Sequence, residues 1–104
     1  MTMIEHLTKD SFKRKVFDYQ NERVYRFEGE RPVVIDFYTN WCVPCKTIAP
    51  ILEELQREYE GKVDIYKVDS DMEKELVKAF NVRSIPTLMP SSRAISMAFW
   101  PIRA

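Results

Sequence analysis

The feature that most restricts this chain is the run Val33-Val34-Ile35-Asp36-Phe37-Tyr38, followed at once by a turn and an amphipathic helical pattern. β-Branched and aromatic residues with almost no polar alternation specify a strand covered on both faces, as in a sheet flanked by helices. Thr39-Asn40-Trp41 turns the chain. Residues 44–59 then place Ile48, Ile51, Leu52, Leu55 and Tyr59 on one helical face, with Glu53, Glu54, Gln56, Arg57 and Glu58 opposite. Pro44 fits the first helical turn, where no N–H is needed. Pro50 kinks the helix, and Gly61 ends it.

The flanking segments extend this pattern. Thr8 reads as an N-cap for a helical stretch with Phe12, Val16 and Tyr19 at helical spacing. The charged link over 21–30 holds a short strand at Val24 to Phe27. A second strand is expected over 62–68 and a helix over 72–80. Asp71 caps that helix, and Leu76, Val77 and Phe80 face inward. Residues 82–89 form a turn into a last short strand. Strand–helix–strand units with short links imply parallel pairing and right-handed crossovers, hence an α/β sandwich.

A chain of 104 residues is one domain, and a 45% apolar content supports a core without covalent staples. Sixteen basic residues balance sixteen acidic ones, so there is no electrostatic case for nucleic acid or an anionic membrane. No apolar run approaches the roughly 20 residues of a membrane span. The start, Met1-Thr2-Met3-Ile4-Glu5-His6, lacks the basic and apolar regions of a secretory leader, which points to the cytoplasm. A periplasmic chain whose leader had been removed would read the same way.

The two cysteines are the chemical centre. Cys42-Val43-Pro44-Cys45 follows the buried strand and opens a helix. Free N–H groups and the macrodipole at a helix start favour a thiolate at Cys42 and lower its pKa from the usual value of about 8.5. Cys45 lies one turn deeper on the same face, within bonding reach and less exposed. Cys42 is therefore the attacking sulfur, and Cys45 resolves the mixed disulfide. Zinc normally takes four ligands, and a second cysteine pair is absent, with His6 distant in sequence, so no metal is expected. The other open reading is a pair of unreactive core cysteines, against which stand Pro44 and the strand–turn–helix setting.

The stretch FYTNWCVPCKTIAP, from Phe37 to Pro50, together with the later Ile85-Pro86-Thr87, resembles the thioredoxin family. The match is detailed over residues 31–89 and looser over the N-terminal helix. The resemblance implies a single thioredoxin-like domain over 1–104, with a central mixed sheet flanked by helices. It implies a protein-disulfide reductase without a cofactor beyond its own Cys42–Cys45 pair. Its partners would be disulfide-containing substrate proteins and a thioredoxin reductase-type recycling enzyme.

By the same resemblance Asp36 is the buried carboxylate that assists proton transfer from Cys45, and Lys67 is its neighbour. Pro86 is the cis proline facing the pair, leaving the backbone around Ile85 free to pair with an extended substrate. Trp41, Val43 and Pro44 complete the substrate-facing surface. Blander readings stand beside these: Asp36 as an exposed or capping strand-end carboxylate, Lys67 as a solvated lysine, Pro86 as a trans turn proline, Trp41 as packing.

Two departures from the family pattern bear on function. Val43 stands where the commonest motif has Gly and alters the balance of dithiol and disulfide in a direction the sequence does not give. Residues 90–104 lack the glycines and the final helix of the family, although Ala94 to Phe99 alternates like a strand. A missing C-terminal helix would leave a sheet face partly bare, lowering stability or promoting self-association. The alternative functions are a disulfide oxidase or isomerase of an exported-protein pathway and a non-catalytic binding module.

Overall fold

The structure is a computed structural model and describes residues 4–20 and 31–91. Its elements run β1 (Glu5–His6), α1 (Lys9–Lys15), β2 (Val33–Tyr38), α2 (Val43–Glu58), β3 (Asp64–Asp69), α3 (Lys74–Ala79) and β4 (Thr87–Ser91). They build a four-stranded sheet in the order β1-β3-β2-β4. The short strand expected at Val24 to Phe27 and the tail beyond Ser91, including its strand at 94–99 and the missing helix, lie outside the described residues.

β3 is parallel to both β1 and β2, whereas β4 is antiparallel to β2. The mixed sheet implied by the family resemblance is present, and the uniformly parallel pairing read from element order is not. Helix length explains the difference. α2 spans 16 residues, about 24 Å, enough to carry the chain back along a six-residue strand of about 20 Å. α3 has six residues, about 9 Å, and leaves the chain at the end of the sheet where β3 finished. β4 must therefore enter from that end.

Odd and even residues of β2 face different cores. Val33, Ile35 and Phe37 meet Phe12, Phe17, Val68, Leu76, Phe80 and Met89 under α1 and α3. Val34 faces the other side with Ile4, Ile48, Leu52 and Ile65. The α1 cap is as read: Thr8 accepts the N–H of Ser11, and the Ser11 hydroxyl accepts that of Thr8. Helix α1 stops at Lys15, so Tyr19 reaches the core beyond the helix rather than on it.

One element escaped the sequence reading, and two local expectations are corrected. β1 carried no periodic signal; it is two residues held by an edge pairing with Tyr66 and Lys67. Asp71 does not cap α3, which begins at Lys74 without a side-chain cap. Asp69 takes the turn instead, its Oδ1 accepting the N–H groups of Asp71 and Met72. On α2, Gln56 is buried while Ile51, Leu55 and Tyr59 are exposed. The Gln56 amide accepts the Ile65 N–H at 2.7 Å and donates to the Val63 carbonyl at 2.9 Å. Those groups lie where β1 does not reach, so a polar side chain is drawn inward to satisfy them.

Candidate active site

The site forms where the C-terminal end of β2 meets the start of α2. Cys42 is the N-cap of α2, with extended backbone, and Pro44 occupies the second helical position. Cys42 and Cys45 are joined as a disulfide with Cα atoms 5.3 Å apart. The backbone N–H of Cys45 donates to Cys42 Sγ at 3.1 Å. This is the hydrogen bond a capping oxygen would normally accept, here made to sulfur. A negative charge on Cys42 Sγ would thus lie on a helix start, with a donor already aimed at it.

The expected contrast in exposure between the cysteines is not found: Cys42 is 5% and Cys45 4% exposed. Each is covered by the bonded partner and by a common wall of Tyr38 and Ile85. The asymmetry between them is in hydrogen bonding to the helix start.

Asp36 is fully buried, at 0% exposure. Neither of its carboxylate oxygens has a hydrogen-bond partner among the described residues. Burial raises its pKa above the ordinary carboxylate value, and the Lys67 ammonium opposes that rise. Its backbone register partners are Lys67 on β3 and Leu88 on β4. The reading of Asp36 as an exposed or capping strand-end residue is thereby excluded. Lys67 is half-buried, and its amine sits 4.5 Å from the centroid of the Tyr38 ring. A cavity of about 120 Å³ opens beside Cys45, between Tyr38, Lys46 and Lys67.

The rim is apolar. Trp41 is 69% exposed and Val43 and Met72 are similarly open. The Trp41 indole donates to Asp71 at 2.9 Å. The Ile85–Pro86 peptide bond is cis, and Ile85 packs on the cysteine cluster. Tyr38, His6 and Asp71 are not read as site residues from sequence: Asp71 reads as a helix cap, and His6 is weighed only as a metal ligand. Tyr38 had a signal, since it shares a strand face with Asp36 two residues earlier; His6 and Asp71 had none.

The family model for thioredoxin matches residues 3–95. The chain belongs to the thioredoxin family. It is 49% identical to a thioredoxin of Borreliella burgdorferi over 83 residues, covering 80% of this chain and 71% of that one. It is 42% identical to thioredoxin C-2 of Corynebacterium nephridii over 83% of this chain and 70% of that one. Thioredoxin 1 of a Nostoc species is 35% identical over 86% and 74% of the two chains. This thioredoxin-family protein is a thiol–disulfide oxidoreductase, and Cys42 and Cys45 supply the vicinal pair that dithiol–disulfide exchange requires. Among the described residues no helix is long and apolar enough to cross a membrane.

Proposed function

We propose that the chain reduces disulfides of protein substrates through Cys42 and Cys45, with Asp36 as proton acceptor. The observation that carries this reading is Cys42 Sγ at the N-cap of α2, accepting the Cys45 N–H, with a buried carboxylate on the strand leading into it.

In the dithiol form Cys42 attacks as thiolate on one sulfur of a substrate disulfide. That S–S bond breaks, a Cys42–substrate disulfide forms, and the substrate's other sulfur leaves and takes a proton from solvent. Cys45 passes its proton to the Asp36 carboxylate, and its thiolate attacks Cys42 Sγ. The mixed disulfide breaks, the second substrate sulfur is released, and Cys42–Cys45 closes. Two electrons move from the cysteine pair to the substrate. A raised Asp36 pKa suits a base working near neutrality. The redox group is the chain's own disulfide, and a flavin-dependent reductase would return two electrons to it in the cytoplasm.

Trp41, Val43, Pro44, Ile85 and Pro86 are the proposed substrate contacts. Support comes from the exposed apolar rim at Trp41 and Val43 and from Ile85 packed on the cysteine cluster. An extended substrate segment would pair with backbone beside Ile85. Self-association, expected from sequence through a partly bare sheet face, finds its support on α2 instead, where Ile51, Leu55 and Tyr59 are exposed at four-residue spacing on one side of the helix. Sedimentation over a concentration series checks it.

Turnover of insulin disulfides with a dithiol reductant tests the principal reading. Activity no greater than that of Cys42→Ser would sink it. A reduction potential well above that of thioredoxins, about −270 mV, would instead favour an oxidase.

A further inference from the structure

Tyr38 and Asp36 emerge from the same face of β2. Beside the disulfide, the Tyr38 ring joins the cluster of Cys42, Cys45 and Ile85. At its far end the hydroxyl lies 3.0 Å from His6 Nδ1. The two rings meet edge to face, with centroids 5.6 Å apart and planes at 87°. The Lys67 amine sits over the ring face at 4.5 Å from the centroid. His6 is the register partner of Lys67, and Lys67 that of Asp36. These three therefore form a row across β1, β3 and β2, and Tyr38 leans from β2 over Lys67 to β1.

We propose that Tyr38 and His6 are positioning residues for disulfide exchange: the His6 bond holds the Tyr38 ring over Lys67, and the ring keeps the Lys67 ammonium within range of Asp36. The inference rests on the reading of Asp36 as acceptor of the Cys45 proton. Lysine carries its charge on a flexible four-carbon stem and is strongly hydrated, so a half-buried lysine without a seat turns toward water. The face of an aromatic ring supplies such a seat. An ammonium held there favours the carboxylate form of Asp36 and opposes the effect of burial. If the ammonium swings away, Asp36 stays protonated to higher pH, and Cys45 loses its acceptor on the acid side.

His6 Nδ1 accepts the phenol proton or donates to the phenol oxygen according to its tautomer, and the contact is kept either way. Among the described residues, the charged and titratable groups around Tyr38 are His6 from β1, Asp36 from β2, Lys67 and Asp69 from β3, Lys46 from α2 across the cavity and, in the dithiol form, the Cys42 and Cys45 thiols at the start of α2.

The test follows the dithiol form of the full chain mixed with a chromogenic aromatic disulfide. Attack by Cys42 releases one coloured thiolate, and resolution by Cys45 releases the second, whose rate is followed against pH. In Tyr38→Leu and Lys67→Met the second phase should slow about threefold on the acid limb, with the alkaline plateau unchanged. The double variant should be no slower than Lys67→Met alone. Tyr38→Phe, which keeps the ring and the fold, and His6→Ala should move the limb less but in the same direction, and His6→Asn should restore it.

Asp36→Asn should abolish the limb. If it does while the Tyr38, His6 and Lys67 variants superpose on the parent, or lose rate equally at every pH, the positioning inference is overturned and the Asp36 reading stands. If Asp36→Asn leaves the limb in place, both are overturned.

Discussion

The indole N–H of Trp41 donates to the carboxylate of Asp71 at 2.9 Å across a separation of 30 residues. It ties the turn before α2, which leads into the disulfide, to the turn after β3. Trp41 is otherwise 69% exposed, so this one contact fixes where a large apolar ring stands on the rim. A hydrogen bond so open to solvent contributes little to stability, below about 1 kcal/mol. Asp71→Ala should therefore leave the urea midpoint nearly unchanged and raise KM for a protein disulfide severalfold, with kcat retained. Steady-state insulin reduction beside equilibrium unfolding separates the two effects.

Gln56 offers the opposite case, a polar residue whose role is structural. Its amide serves Ile65 N–H and Val63 C=O at the start of β3. Gln56→Ala leaves one buried backbone N–H and one partly buried C=O without that partner, at about 1–3 kcal/mol for the buried group and less for the other. The urea midpoint should fall while the Cys42–Cys45 reduction potential stays unchanged. An altered potential would mean that β3 relays strain to the site.

These two residues also mark what the sequence could disclose. The β2 run, α2 and the Thr8 cap were legible because each is a local pattern: continuous apolar residues, a 3.6-residue period, a hydroxyl before a helix. The cysteines were legible because their chemistry depends on spacing and on the strand–turn–helix around them. Gln56 was not, because periodicity sorts side chains by polarity and cannot see an unpaired backbone N–H on a neighbouring strand. β1 was not, because its two residues, Glu5 and His6, are placed by pairing rather than by propensity. Asp71 reads as a cap by composition alone, whereas turn geometry gives the hydrogen bonds to Asp69 and leaves α3 without a side-chain cap.

Under the sheet, Phe12 is fully buried, with ring centroids 5.8 Å from Tyr19 and 5.1 Å from Phe80. It links α1, the segment after it and the end of α3. Phe12→Ala removes a ring that close-packed neighbours cannot refill, which costs about 3–5 kcal/mol. A domain of this size has roughly 5–15 kcal/mol in total. The oxidised protein should therefore unfold partly at physiological temperature, visible as lost near-UV circular dichroism. Phe12→Leu should retain most of the signal, because it conserves more of the volume.

Asp36 is held against its own preference. Burial raises its pKa in the folded protein above the unfolded value of about 3.9, so the fold binds a proton that the unfolded chain has already released. Between the unfolded and folded values the native state holds more protons, and stability falls as pH rises. Above the folded value the full penalty of a buried carboxylate applies; below about pH 4 there is none. Asp36→Ala should then be more stable than the parent at neutral and alkaline pH, with the advantage disappearing as pH falls through the folded pKa. Urea midpoints of the oxidised proteins on either side of that window check the sign. A parent as stable as the variant at every pH would mean that Asp36 is solvated or paired after all, and its service as a proton acceptor would lose its physical basis.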